Sequence, residues 1–499
     1  MRDTVQRMDT FFDPKSVAVV GASKNVNKAG HVIFKNFAEN KRRGVFNGEL
    51  YPVNLTEDHI LGYKSYPSIS RIPGQVELVV IVVPALSVLD IMKEAAAKDV
   101  SAVVIISAGF SEIGNEKLEK TIVSVAEEAN IRVLGPNCLG VYDNRTGVDM
   151  LFLPETKVLT TGDEFVATPR PMSGHIAMIT QSGAFGAAAL DYLAGSQLGV
   201  SKFVSFGNKC DVAEAEMLEY FLLDGETWVI LLYAEAIEAG REFMKAAEKV
   251  TRKKPIVAFK SGKSGAGARA AASHTGAIAG SDRIYEAAFA QVGIVRVRDM
   301  EEFFDVGKAL AFQPPATGNN IGILTDAGGP SVMAVDECEA RGLTVNKFSD
   351  SVLDEFEELK KGGKLPRFAT NLNPVDITGS ATSEMFELSA KIMLDTPEVD
   401  GLIVLGLHHT PALQEDFVDR IASLVKQCAK PVVACDIGET EMAMFIRSRF
   451  EKLGIPAYTS PEDAARAMAA LAQYGKHLKK TGCFNEFLEI CVRRHGLRP

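Results

Sequence analysis

His274 lies among small residues, in the run Ala271-Ala-Ser-His-Thr-Gly-Ala277. Nothing bulky there could pack as a core, so the segment can move and present its imidazole to a reacting group. A neutral imidazole accepts a phosphoryl group when a carboxylate on its other ring nitrogen fixes the tautomer. Glu235, just past the apolar run Val229–Tyr233, is the first candidate for that carboxylate and Glu238 the second. A phosphoryl donor also needs an anion cradle. Thr180-Gln-Ser-Gly-Ala-Phe-Gly186 and Thr325-Asp-Ala-Gly-Gly-Pro-Ser331 each lead from an apolar strand into a helix. Their small residues, Ser182, Gly183 and Ala184 in one and Gly328 and Gly329 in the other, leave first-turn amides open, and the helix dipole favours an anion there. Tight strand–helix packing explains one such run equally well. Two of them suggest helix ends that serve one anion.

A further group of turns suits a nucleotide. Gly21 ends the run SVAVV and opens a turn in which Ser23 and Lys24 add donors to the backbone amides. Val83-Pro84, Ser107-Ala108-Gly109 and Gly135-Pro-Asn-Cys-Leu-Gly140 follow other strands, at the end where open α/β sheets bind ligands. Several familiar chemistries fail on spacing. The turn reads Gly-Ala-Ser-Lys-Asn-Val rather than G-x-G-x-x-G, and the second strand ends Tyr51-Pro-Val-Asn54 without an acid, which disfavours NAD. Gly262-Lys-Ser264 lacks the first glycine of a P-loop, since position 257 is Val, and no G-x-S-x-G elbow occurs. His408 and His409 are adjacent on a strand end, a poor metal pair, and read as structural or substrate-lining. The seven cysteines are scattered without a C-x-x-C, so neither a disulfide framework nor a zinc site is expected, and no metal ligands are assigned.

The elements that must position these groups are legible as a pattern. Short β-branched runs alternate with helical stretches throughout, which implies right-handed βαβ units and doubly wound parallel sheets. At about 150 residues per domain, 499 residues suggest three. Breaks at 153–174 and 313–319 give domains at 1–150, 174–312 and 319–475, with a polar tail 476–499. The last two domains look duplicated. Gly174–Ala184 lies over Asn319–Gly329 at a constant shift of 145 positions, and Val200-Ser-Lys-Phe203 over Val345-Asn-Lys-Phe348. Lys254-Pro-Ile-Val-Ala258 matches Lys430-Pro-Val-Val-Ala434 at 176, whereas Gly293-Ile294 matches Gly454-Ile455 at 161. The first copy therefore carries 15 extra residues, within Ser261–Gly280, and these include His274. Net charge is −10, which argues against a nucleic-acid partner. No apolar run reaches a membrane span and no apolar signal core opens the chain, so a cytoplasmic protein is expected.

The motifs SVAVVGAS, YPVN, GPNCLGV, TQSGAFG, VSFGNKCDV, AASHTGAIAG and TDAGGP resemble the α subunit of ADP-forming acetate–CoA (acyl-CoA) ligases, in the succinate–CoA ligase superfamily, over residues 9–475. The resemblance implies a Rossmann-like CoA-binding domain followed by two flavodoxin-like ligase domains. It implies reversible conversion of acyl-CoA, phosphate and ADP to acid, CoA and ATP, through acyl phosphate and a phosphohistidine at His274 oriented by Glu235. Gly21, Ser23, Lys24, Val53, Asn54, Val83, Pro84, Ser107 and Asn137 would then line the CoA nucleotide, and the helix ends at Ser182-Gly183-Ala184 and Gly328-Gly329 would hold phosphate. A small carboxylic acid and its acyl-CoA would be the substrates. Mg²⁺ and ADP or ATP would be held by a partner, either an ATP-grasp β subunit or a missing C-terminal half. The alternative is a non-catalytic CoA-sensing or scaffold protein of the same fold, which would have no reason to keep the His274 loop and both glycine turns.

Overall fold

The computed structural model describes residues 2–269 and 281–498. It divides into two compact units, one of residues 1–250 and 258–292, the other of 251–257 and 293–499. In the first unit, Ser16–Val20, Leu78–Ile81 and Ala102–Ile105 are buried at every position, as parallel strands covered on both faces must be. They form a five-stranded parallel sheet in the order Glu49–Val53, Ser16–Val20, Leu78–Ile81, Ala102–Ile105, Arg132–Leu134. Spatial order reverses between Ser16–Val20 and Leu78–Ile81, which leaves a crevice at the carboxyl ends of those two strands. The helix Ala29–Arg42 packs Ile33, Phe34, Phe37 and Ala38 inward and ends on Lys41 and Arg42, which complement its dipole.

The same unit contains a second sheet. Val229–Ala234, Ser173–Thr180 and Val200–Ser205 run parallel, and Gly140–Asp143 then joins antiparallel, with Tyr142 opposite Phe203 and Val148–Asp149 beyond it. The chain on either side of residue 140 thus serves two different sheets. A loop fastens them: the Cys210 and Val212 N–H groups donate to the carbonyls of Gly135 and Val133, and Asp211 accepts both Arg132 nitrogens at 2.9 Å. Residues 153–174, read from sequence as a break, include the exposed hairpin Thr156–Val158 with Glu164–Val166.

The second unit is built on a sheet in the order Thr370–Asn371, Val375–Asp376, Ile321–Thr325, Gly401–Leu405, Val432–Cys435, Ala457–Tyr458. All neighbours in it are parallel except the first pair. The matching residues of the first copy belong to a full strand, Val200–Ser205, whereas Val345–Phe348 form none. Only Thr344 bridges, to Asn320; the rest of that position is taken by Val375–Asp376, after the intervening helix Asp350–Lys361. Asn373 ties the two pieces together. Its amide donates to the carbonyls of Ile321 and Asn346, both at 3.0 Å, and its carbonyl accepts from the Ile323 N–H at 3.0 Å. The second copy therefore has an insertion of its own, in line with the rise in shift from 145 to 176 positions. No described helix is long and apolar enough to cross a membrane.

Candidate functional site

The first unit encloses a cavity of about 980 Å³ at the carboxyl ends of both its sheets. Its floor is the turn after Ser16–Val20. Gly21 has φ +96°, and a Cβ there would come 2.3 Å from the Val82 carbonyl oxygen, so only glycine fits. A Cβ on Gly30 would stand 2.1 Å from the Gly21 oxygen, so the helix start is pressed onto the turn. The turn is then fixed from several sides. Gly21 N–H donates to Val53 O at 3.0 Å, Asn54 Nδ2 to Ala22 O at 2.8 Å, and Ser23 Oγ accepts from Asn25 N–H at 3.1 Å. Ser107 Oγ accepts from Val83 N–H at 3.1 Å, while Asn137 N–H reaches Ser107 O at 2.9 Å.

Three helices start at this cavity. Those at Ala29 and Ala85 have no side-chain cap; the third, at Gly183, is capped by Ser182 Oγ accepting from Phe185 N–H at 3.2 Å. Open first-turn amides on one cavity make a field suited to phosphate groups. Gly21, Ser23, Asn54, Val83, Pro84, Ser107, Asn137, Ser182, Gly183, Ala184, Glu235 and Glu238 all stand on its wall. Lys24 and Val53 do not. Lys24 is drawn to Glu57 at 2.6 Å, and the Val53 side chain is buried in the core, so its contribution is its carbonyl. Gly328 and Gly329 belong to the other unit, where they open the helix Gly328–Ala340, whose cap residue Ala327 offers no side-chain bond. His274 lies outside the described residues.

Glu235 is held from below by residues that the sequence reading passed over. It is 7% exposed. Gln181 Oε1 accepts from the N–H groups of Glu235 at 2.5 Å and Ala236 at 3.0 Å. Gln181 Nε2 donates to Glu214 and to Ala236 O, and Lys209 Nζ reaches that same pair of oxygens at 2.9 Å. Glu214 and Gln181 are buried, and the carboxylate is matched by the Lys209 charge, so the network is satisfied rather than costly. Tyr233 Oη donates to Glu235 Oε1 at 3.4 Å. Burial first, and the Glu235 charge as well, raise the Tyr233 phenol, which keeps its proton and remains a donor. The signal for Gln181 was its place directly after a strand end, level with the neighbouring strand's next amides. Spacing alone cannot show that level.

Elsewhere on the wall, Asn208 Nδ2 donates to Glu112 at 2.6 Å and to Glu119 at 2.9 Å. Burial would raise the Glu112 carboxyl, but the bonds from Asn208, Gly109 and Phe110 outweigh it and hold it below its ordinary range. It stays ionised and joins Glu235 and Glu238 as a third carboxylate on the cavity wall. Among the described residues no group of three or more His, Cys, Asp or Glu is placed to hold a metal.

Three stretches of the chain match known protein families. Residues 15–144 match a CoA binding domain, 173–310 a succinyl-CoA ligase like flavodoxin domain, and 321–479 a ligase-CoA domain. The chain is 38% identical, over 94% of its length and 98% of the relative's, to the acetate–CoA ligase [ADP-forming] II subunit alpha of Pyrococcus furiosus. The chain belongs to the ADP-forming acetate–CoA ligase family. Within that family it is also 39% identical, over 98% of its length, to the acetate–CoA ligase [ADP-forming] I of Archaeoglobus fulgidus, of which it spans 66%. Some family members are thus named as α subunits of this size, and others are longer single chains. A solved family structure, the dinucleotide forming acetyl-coenzyme A synthetase 1 of Ca. Korarchaeum cryptofilum in complex with phosphate and ADP, superposes with a TM-score of 0.85 at 36% identity. That likeness covers 95% of this chain and 98% of the other.

Proposed function

We propose that this chain is the CoA-binding, phosphoryl-carrying part of an ADP-forming ligase for a small carboxylic acid. One observation carries the reading: a single cavity joins the nucleotide-type turns of the first sheet to the helix end at Ser182–Gly183 and the buried carboxylate of Glu235. CoA would occupy the turns at Gly21–Ser23, Val83–Pro84 and Ser107, with its thioester end toward Ser182 and Glu235. A phosphate oxygen attacks the thioester carbonyl, the C–S bond breaks, and CoA thiolate leaves acyl phosphate behind. The amides at Ser182–Gly183, and those at Gly328–Gly329, are assigned to the phosphate oxygens. A ring nitrogen of His274 then takes the phosphorus and the carboxylate leaves. Glu235 is assigned to the other ring nitrogen, where it fixes the tautomer and stabilises the positive charge. Phosphohistidine passes the group to ADP, restoring neutral imidazole. In this reading residues 1–150 hold CoA, 174–312 carry His274, and 319–475 supply the second phosphate-facing helix. Mg²⁺ and ADP belong to an ATP-grasp partner, encoded separately or as a continuation of the chain.

The test is labelled phosphate with an acyl-CoA, the chain and its partner, followed by detection of acid-labile phosphate on this chain. Label on the wild type and none on His274→Ala is the expected result. Label that persists on His274→Ala overturns the assignment, and no label with any acyl-CoA favours a CoA sensor.

A further inference from the structure

The second unit has a cavity of about 620 Å³ that the proposed reaction does not use. It lies at the amino-terminal side of that unit's sheet: its wall includes Thr317–Asn319, just before the strand Ile321–Thr325, and Gly342–Leu343, just after the helix Gly328–Ala340. The conserved-geometry crevice of an open α/β sheet is at the other end of the strands, so this is a separate feature.

Cations outnumber acids on its wall: Arg296, Arg341, Arg466, Lys476 and Lys479 stand there with one carboxylate, Glu302, while Glu337 and Asp463 lie behind and pair with Arg341 and Arg466. Two of the guanidinium groups are fixed from behind. Arg341 gives Nε to Glu337 at 2.8 Å and Nη1 to Glu302 at 2.6 Å; Arg466 gives Nε to the same Glu337 at 3.0 Å and Nη1 to Asp463 at 3.1 Å. Each therefore retains an Nη2 with no hydrogen bond among the described residues. A guanidinium oriented in this way loses little freedom when it binds a phosphate oxygen. Lys476 is exposed and makes no ion pair or hydrogen bond among the described residues, and Lys479 donates only to the Thr317 carbonyl. Between these cations the wall is apolar, with Val295, Val297, Leu343 and Ala470, and Asn319 and Gln473 add amide groups. The volume is that of a small-molecule site.

We propose that this cavity binds a nucleoside phosphate of at least two negative charges, at a site distinct from that of the proposed reaction. The phosphates lie on Arg341, Arg466 and Lys476, and the base covers the apolar wall within reach of Asn319 and Gln473. Inorganic pyrophosphate would satisfy the cations and leave that wall bare, so the apolar contribution separates the two ligands.

The test is equilibrium dialysis of labelled ADP against the full 499-residue chain, with CoA present in saturating amount to fill the first unit's cavity. One saturable site is expected, with ADP bound about tenfold or more tighter than pyrophosphate. Lys476→Glu, an exposed change that leaves the fold alone, should weaken ADP about tenfold or more. Arg466→Lys, which keeps the charge but loses the fork, should weaken it by less. No saturable ADP binding, equal affinity for pyrophosphate, or an unchanged Lys476→Glu variant overturns the proposal. So does ADP that CoA displaces mole for mole, because that places the nucleotide in the first unit.

Discussion

The two sister domains build the same bracket with different residues. In the first, Gln181 follows the strand Ser173–Thr180 and its carbonyl accepts the amides of Glu235 and Ala236. In the second, Asp326 follows Ile321–Thr325 and its carboxylate accepts Leu407 N–H at 3.1 Å and Thr410 Oγ1 at 2.7 Å. Strand register makes Glu235 and Leu407 equivalent, since Tyr233 pairs with Thr180 and Leu405 with Thr325. One strand further, the buried Lys260 corresponds to the buried Asp436, which holds His408 Nδ1 at 2.7 Å. The backbone needs some acceptor at the first position in both copies. What it presents next is free to differ: an acid facing a cavity in one, an apolar side chain in the other. The bracket is a requirement of the fold, whereas Glu235 is the residue to which we assign chemistry.

The comparison can be broken most directly at that acid. Glu235→Gln keeps the shape and removes the charge; labelling of His274 should slow by about 10²- to 10⁴-fold, with CoA affinity held within about twofold. An unchanged labelling rate would reduce Glu235 to the status of Leu407. Next come the brackets themselves. Gln181→Ala and Asp326→Ala each strip buried amides of their acceptor and should each cost about 1–3 kcal/mol in denaturant unfolding. Only Gln181→Ala should also weaken CoA, since Gln181 stands on the cavity wall; equal effects on CoA would mean that the second copy serves the same ligand. Of similar size is the contrast between helix starts. Gly30→Ala forces a methyl against the Gly21 carbonyl and should lower stability by about 1–3 kcal/mol. Gly329→Ala meets nothing within 4 Å in a helical first turn, so thermal unfolding should hold or rise slightly, and any loss in the dependence on phosphate reports the ligand alone.

The smallest effect is a slope. Burial above all raises the Asp436 carboxyl, more than the His408 contact lowers it. The folded chain then keeps this proton to a higher pH than the unfolded chain, binds more protons in that interval, and loses stability as pH rises through it. Asp436→Asn has no such proton to lose. Its melting temperature relative to wild type should climb from pH 4 toward neutrality, and a flat difference would show that His408 keeps Asp436 ionised throughout.

Much of this was legible in the residues. Gly21, Ser107, Ser182 and Glu235 were found because small residues and acids at strand ends have few other uses, and the structure puts them on one cavity. Gln181, Lys209 and Glu214 were missed because each is unremarkable in its own segment and acquires meaning only when three strands are set level. Lys24 shows the converse. A lysine in a phosphate-type turn reads as a ligand, but Glu57, more than thirty positions away, takes its charge. The antiparallel addition of Gly140–Asp143 to the second sheet was likewise invisible, since a four-residue run of Gly-Val-Tyr-Asp does not announce its partner.

The divided second strand of the last domain has a consequence for how that domain can come apart. Its two pieces are joined by the excursion through Asp350–Lys361, the exposed residues 362–364, the buried Leu365 and on to Phe368, which is 73% exposed. The continuous strand Ile321–Thr325 does not depend on that excursion for its pairing with Gly401–Leu405. A protease cut near Gly362–Lys364 would leave the severed ends gripped by Asn373 and the sheet intact, so the nicked chain would still migrate as one body until denatured.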